Sequence, residues 1–190
     1  IIESVPAPVA VIISFPSNPT AQVVSLEFYE EVVKIALKYN VYILSDLAYA
    51  EIYYDNSPPP SILQIPKAKE VAVEFTSMSK TYAMAGWRIG FAVGNIRLIN
   101  ALTRIKSYLD YGAFTPVQVA AAAALNGPQD CVQEIRSTYQ KRRDVLINSM
   151  ARAGWNIPSP KASMFAWAPL PDKYKDKGSL EFAKELMLKA

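Results

Sequence analysis

SLEFYEEVVKIALKYNVYILSD, residues 25–46, carries the reading of the fold in two halves. In the first, Leu26, Tyr29, Val32, Val33, Ala36 and Leu37 recur at helical spacing behind a Ser25 cap, with Glu27 in the first turn. In the second, Val41 to Ser45 is a short apolar run, β-branched and aromatic, that ends at Asp46. Such a run reads as a strand buried on both faces. Val9 to Phe15 and Val71 to Phe75 are two more of the kind. Strand, helix, strand predicts a right-handed parallel crossover, and with it an α/β fold.

Working outward, Pro58, Pro59, Pro60 and Pro66 predict an irregular loop with one short helix before the third strand. Ile89 to Val93 reads as a fourth strand, and the short connection from the third makes it an antiparallel neighbour. Ile96 to Tyr108, Pro116 to Leu125 and Asp130 to Met150 carry helical periodicity, with Asn126-Gly127-Pro128 as a stop between the last two. After Gly154 come Pro-punctuated segments, the apolar run Met164 to Ala168 and a last helix from about Ser179. A domain boundary is therefore expected near residue 153.

Composition narrows the chemistry. The formal charge of +3 comes from Lys and Arg scattered along the 190 residues, which offers no electrostatic footprint for nucleic acid. No apolar stretch is long enough for a membrane span, and no basic-then-apolar leader is seen. The single cysteine, Cys131, excludes an intramolecular disulfide framework and points to a reducing compartment, so the cytoplasm is the expected location. Without histidine or clustered cysteines there is no transition-metal site and no Ser-His or Cys-His nucleophile pair. Acid–base chemistry near neutral pH then falls to Lys, Tyr, Asp or Glu, or to a cofactor.

Four polar sites lie just beyond apolar runs: Asn18 in Pro-Ser-Asn-Pro-Thr, Asp46, Lys80 in Ser77-Met78-Ser79-Lys80, and Arg88. Open α/β sheets bind ligands at the carboxyl ends of their strands, and all four sites can converge on one such edge. They supply an amine for an imine, a carboxylate for a ring nitrogen, a hydrogen-bond donor, and a cation with hydroxyls for a phosphate. Pyridoxal phosphate asks for that set. Gly86, Gly90 and Gly94 read as tight strand packing, and Trp87, Phe91, Tyr108 and Tyr111 as core or interface.

The sequence resembles the fold-type I, class I/II pyridoxal-phosphate-dependent aminotransferases, in the branch of the LL-diaminopimelate and alanine transaminases. The resemblance rests on Asn18-Pro19-Thr20, Asp46-Leu47-Ala48-Tyr49, Ser77-Met78-Ser79-Lys80 running on to Gly86-Trp87-Arg88-Ile89-Gly90, and Lys161-Ala162-Ser163-Met164-Phe165. It implies a three-layer α/β/α domain with a mostly parallel sheet, partial here over residues 1–153. Residues 154–190 would begin a small α+β C-terminal domain. It also implies that Lys80 forms the Schiff base and then shuttles the proton at the substrate α-carbon. Asp46 would pair with the pyridinium nitrogen, Asn18 and Tyr49 would donate to the ring oxygen, and Ser77, Ser79 and Arg88 would hold the phosphate. Asn18-Pro19 is often cis in the family.

The implied activity is amino-group transfer between an amino acid and a 2-oxo acid, in a homodimer whose buried surface would include Tyr108 to Ala124. The family's upstream phosphate loop and ring-stacking aromatic, and its downstream carboxylate-binding arginine, are expected to lie outside these residues. The chain by itself is therefore expected not to transaminate, and it does not say which amino acid is the substrate. The same residues would also suit the aminotransferase-like, pyridoxal-phosphate-binding module of a transcription regulator.

Overall fold

A computed structural model describes residues 6–189. Four strands form one sheet in sequence order: β1 (Ala10–Ser14), β2 (Tyr42–Asp46), β3 (Ala72–Ser77) and β4 (Gly90–Gly94). The first three run parallel, and β4 runs antiparallel to β3, as the short connection predicts. Helix α1 (Leu26–Tyr39) joins β1 to β2; the Ser25 hydroxyl caps it by accepting from the Phe28 amide, and Asn40 closes it in the left-handed conformation.

Side chains alternate across a strand, so Ile43 and Ala72 share one face of the sheet. There they pack with Tyr29, Val33 and Ala36 of α1 and with Ile62 and Ile65 of the following loop. Burying side chains of the size of Ile43 and Ile62 contributes about 1.5–3 kcal/mol each. On the opposite face, Phe75 and Ala92 look across a hollow to Ile99, Leu102 and Thr103 of α4 (Ile96–Leu109). Helices thus lie on both sides of a mostly parallel sheet, the expected α/β arrangement.

Burial of β1 on both faces is not observed. Ile12 is 75% exposed and Val9 is exposed as well. β1 is an edge strand of this sheet, and α4 covers the far face only at the β4 end. Nor are Trp87, Phe91, Tyr108 or Tyr111 core residues; all are exposed, Tyr111 at 92%. They sit on β4, α4 and the turns beside them.

The glycine expectation holds at two of three positions. A Cβ on Gly90 would come within 2.4 Å of the Thr76 carbonyl oxygen, and one on Gly94 within 2.4 Å of that of Ala72, whereas Gly86 faces open space. The β3–β4 pair therefore closes tightly next to Ser77.

The Pro-rich loop holds two short helical pieces, a 3-10 turn at Ile62–Gln64 and α2 (Ala68–Val71), where one was expected. It is tied down by Glu74 of β3, which is 5% exposed. The Ser61 hydroxyl donates to this carboxylate at 2.9–3.0 Å and the Ile62 amide at 3.1 Å. Burial pushes the Glu74 carboxyl above its ordinary value, opposed by those two hydrogen bonds. A group whose folded value is raised holds its proton more tightly in the fold than in the unfolded chain. The stability it contributes is complete below the ordinary glutamate range and is lost as pH rises through the raised value. Glu74→Gln should escape that loss, so the variant's unfolding free energy relative to wild type should grow as pH rises from about 4 to 7. Urea denaturation across that range measures it, and a difference independent of pH would contradict the burial argument.

Three further helices follow: α3 (Met78–Thr81) directly after β3, α5 (Thr115–Asn126) and α6 (Asp130–Arg152). Met78, Met84 and Ala121 form a second, smaller core between α3 and α5. Beyond α6, residues 155–171 run without regular elements to a 3-10 stretch, Asp172–Lys177, and α7 (Gly178–Lys189). The only pairing of that segment among the described residues is an isolated bridge between Tyr53 and Ala162. Among the described residues the segment holds helix and this one bridge.

Candidate active site

β1 and β2 end side by side, with Ser14 beside Asp46, and β3 runs two residues past Phe75, the partner of Asp46. Every residue singled out above follows within a few positions of that line. Asn18 lies in the turn after β1, where Asn18-Pro19 is cis, as is Phe15-Pro16. Asp46 ends β2 and Tyr49 lies in the turn after it. Ser77 ends β3, and Ser79 and Lys80 sit on α3. Arg88 precedes β4, and because β4 is antiparallel its start lies at the same edge, Gly90 pairing with Ser77.

The structure brings three of these side chains into one group. The Asn18 amide Nδ2 donates to the Tyr49 hydroxyl at 3.4 Å, and Lys80 Nζ stands 5.7 Å from the centroid of the Tyr49 ring. Among the described residues no carboxylate comes within ion-pair distance of Lys80. Burial pushes the Tyr49 phenol above its ordinary value, the Asn18 hydrogen bond lowers it, and the Asp46 charge raises it. The phenol therefore keeps its proton at neutral pH.

Asp46 is held from two sides. Oδ1 accepts the Ala48 amide at 3.0 Å, an Asx-turn that starts the loop, and Oδ2 accepts the Ser14 hydroxyl at 3.4 Å. The Ser77 hydroxyl accepts the Ser79 amide at 3.2 Å and so caps α3. Ser79 is buried. Arg88 is exposed, with a left-handed backbone at φ 51°, and donates Nη1 to the Ala85 carbonyl at 3.0 Å. No hydrogen bond joins it to Ser77 or Ser79; strand order alone puts them at the same edge.

Two neighbours of the site were not assigned from sequence. Phe165 meets the Tyr49 ring edge-on, with centroids 5.4 Å apart at 68°. It belongs to the Lys161–Phe165 stretch, whose place in the fold no periodicity announces. Ser14 reaches Asp46 through strand register, which one sequence does not display.

The sequence pattern of one family, described as aminotransferase class I and II, matches residues 2–189 of this chain. The chain belongs to that family. Among its class I and II aminotransferase relatives, the glutamate-pyruvate aminotransferase AlaC of Escherichia coli (strain K12) is 58% identical over 188 residues, covering 99% of this chain and 46% of that protein. The LL-diaminopimelate aminotransferase of Moorella thermoacetica is 47% identical over 178 residues, covering 94% and 45%. Of solved structures, an aminotransferase from Staphylococcus aureus superposes with a TM-score of 0.87 at 31% identity, over 96% of this chain and 47% of that one. The chain thus spans somewhat under half the length of these class I and II aminotransferases. No helix among the described residues is long and apolar enough to cross a membrane.

Proposed function

We propose that the protein to which this chain belongs is a pyridoxal-phosphate-dependent aminotransferase that uses Lys80 as its covalent anchor and base. The observation that carries this reading is the Lys80 amine itself. It stands beside the Tyr49 ring just past the end of β3, with no carboxylate among the described residues paired to it, while Asp46 ends the neighbouring parallel strand.

The donor set fits the cofactor. When bound, pyridoxal phosphate supplies an aldehyde that joins amines and a ring that takes up electrons released at the substrate α-carbon. Asp46, already fixed by Ser14 and the Ala48 amide, offers its carboxylate to the ring N–H. Such a charge-assisted hydrogen bond contributes about 1.5–3 kcal/mol. Tyr49, whose phenol keeps its proton, and Asn18 donate to the ring oxygen. The Ser77 and Ser79 hydroxyls bind the phosphate together with Arg88, whose planar guanidinium carries five donors and has one engaged with Ala85. Lys80 Nζ would anchor the cofactor and take up the proton released at the substrate α-carbon.

The substrates are an amino acid and a 2-oxo acid, and the names of the relatives direct the assay to alanine, glutamate and LL-diaminopimelate as amino donors. Those names also favour the enzyme over the regulatory-module reading of the same pocket. Exposed Tyr108, Leu109, Tyr111 and Phe114 at the α4–α5 connection support a homodimer formed over that surface. The exposed, unpaired Cys131 suits the cytoplasm. We place the limit of the cofactor domain near residue 153, where α6 ends and Gly154 turns at φ 79°.

The test takes the full open reading frame that contains this chain, loads it with pyridoxal phosphate, and follows amino transfer from each donor. Borohydride reduction and peptide mapping should place the pyridoxyl label on Lys80 alone. A label on another lysine, or no transfer from any amino acid, would sink the assignment.

A further inference from the structure

Away from the site, α6 lays one face along the turn that follows Tyr49. Arg136, Gln140 and Arg143 recur at helical spacing on that face. Arg136 donates to the Glu51 carbonyl at 3.1 Å and to its carboxylate at 2.9 Å, and its guanidinium lies 3.8 Å over the Tyr53 ring. Gln140 reaches Asp55 at 3.4 Å. Arg143 does most. Its side chain is only 8% exposed, it grips Asp55 with two nitrogens at 2.7 and 3.0 Å, and it donates to Asp144 at 2.8 Å. It also donates to the Pro160 carbonyl at 3.2 Å and stacks 4.5 Å from the centroid of the Tyr54 ring.

Tyr54 passes this grip on. It is buried, and its hydroxyl donates to the Ser163 carbonyl at 2.6 Å, while its amide donates to the Lys161 carbonyl at 3.0 Å. Burial pushes the Tyr54 phenol up to about 12, against the pull of the Arg143 charge, so it remains a donor at working pH. The Ser163 amide donates to the Ile52 carbonyl at 2.7 Å, and the Ile52 amide to the Tyr49 carbonyl at 3.1 Å. Ser163 itself is fully buried in a left-handed conformation, φ 71°, which a non-glycine residue keeps only where surrounding contacts over-determine it. Two residues later, Phe165 meets the Tyr49 ring.

We propose that Arg143, acting through Tyr54 and Ser163, is a positioning residue that holds Phe165 against Tyr49. The proposal deepens the reading of the site given above and rests on it. Arg143 touches none of the residues assigned to the cofactor. Its effect reaches them through one short strap, residues 160–165, laid across the turn that presents Tyr49. With the strap loosened, the Tyr49 ring loses its edge contact and its hydroxyl is no longer aimed.

The experiment uses the full open reading frame with Arg143→Gln, Arg143→Lys, Phe165→Ala and the Arg143→Gln/Phe165→Ala double variant. Asp55→Asn keeps a residue suited to the left-handed backbone at position 55, φ 57°, and removes the charge at an exposed site, so it serves if Arg143→Gln does not fold. Amide hydrogen exchange in the cofactor-free protein should quicken over residues 52–54 and 160–166 in Arg143→Gln and stay unchanged over β1 to β3. With pyridoxal phosphate bound, kcat/KM should fall on the order of tenfold to a hundredfold, while cofactor affinity, held mainly by the phosphate and Lys80, should fall much less. Arg143→Lys should recover only part, because an ammonium cannot form the two-nitrogen grip or the stack. In the Phe165→Ala background, Arg143→Gln should cost little more.

Unchanged exchange would overturn the chain of contacts. Faster exchange with fully additive losses would show that Arg143 merely stabilises the fold, and would overturn its action through Phe165. Faster exchange in Arg143→Gln, with a wild-type protein that itself transfers no amino group, would keep the strap linkage and overturn the reading of function it serves.

Discussion

Lys80→Ala, made in the full open reading frame, is expected to lower amino transfer by about 10⁴-fold, the upper end of what one positioned acid–base group contributes. The reason is that nothing nearby can substitute. Lys80 Nζ is the amine beside the Tyr49 ring, and the hydroxyls assigned to the site, those of Ser77, Ser79 and Tyr49, are poor proton acceptors at neutral pH. The Tyr49 phenol in particular is pushed further up by burial. Lys80→Arg should not rescue, since a guanidinium stays charged at any working pH and cannot take a proton. Pyridoxal phosphate should still bind Lys80→Ala, held by the phosphate and ring contacts, but borohydride should no longer fix it to the chain. Steady-state rates with saturating cofactor, beside peptide mapping, decide the matter. Turnover within tenfold of wild type would remove Lys80 from the mechanism.

The second large effect is expected at Asp46. Replacing it by alanine should lower turnover about ten- to a hundredfold, matching the 1.5–3 kcal/mol that a hydrogen bond to a charged group contributes. Cofactor affinity should change much less, because the carboxylate acts chiefly when charge develops in the ring. Alanine also removes the Asx-turn to the Ala48 amide and leaves the Ser14 hydroxyl without its acceptor. Asp46→Asn separates these effects: it can keep the turn through Oδ1 while losing the charge. Asp46→Glu should do less harm than either, since it retains a carboxylate one methylene further along. A fully active Asp46→Asn enzyme would show that the charge does not matter and that the role assigned to Asp46 is wrong.

The sequence by itself determined the elements and the chemical inventory. Period-3.6 spacing in residues 26–37 and apolar runs near Ile12, Ile43 and Val73 are local signals, set by how each segment must bury its own side chains. They suffice for β1, α1, β2 and β3 and for the parallel order. Residue types placed just past strand ends then nominate Asn18, Asp46, Lys80 and Arg88, because a parallel sheet exposes those ends together. The short link to β4 set its antiparallel sense. The glycine spacing pointed to close strand approach, but the need at Gly90 and Gly94, and its absence at Gly86, depends on which carbonyl lies opposite.

The tertiary structure decided what depends on contacts between distant segments. Ser14 meets Asp46 across 32 positions, Tyr54 meets Ser163 across 109, and Arg143 meets Asp55 across 88. No spacing within a segment encodes such pairs. The same holds for burial: β1 is at least as apolar in sequence as β2, yet Ile43 is fully buried and Ile12 largely exposed. The difference lies in which faces of the sheet receive a helix. Hydrophobicity says that a side chain gains from burial, and only the packing of other elements decides whether it finds cover.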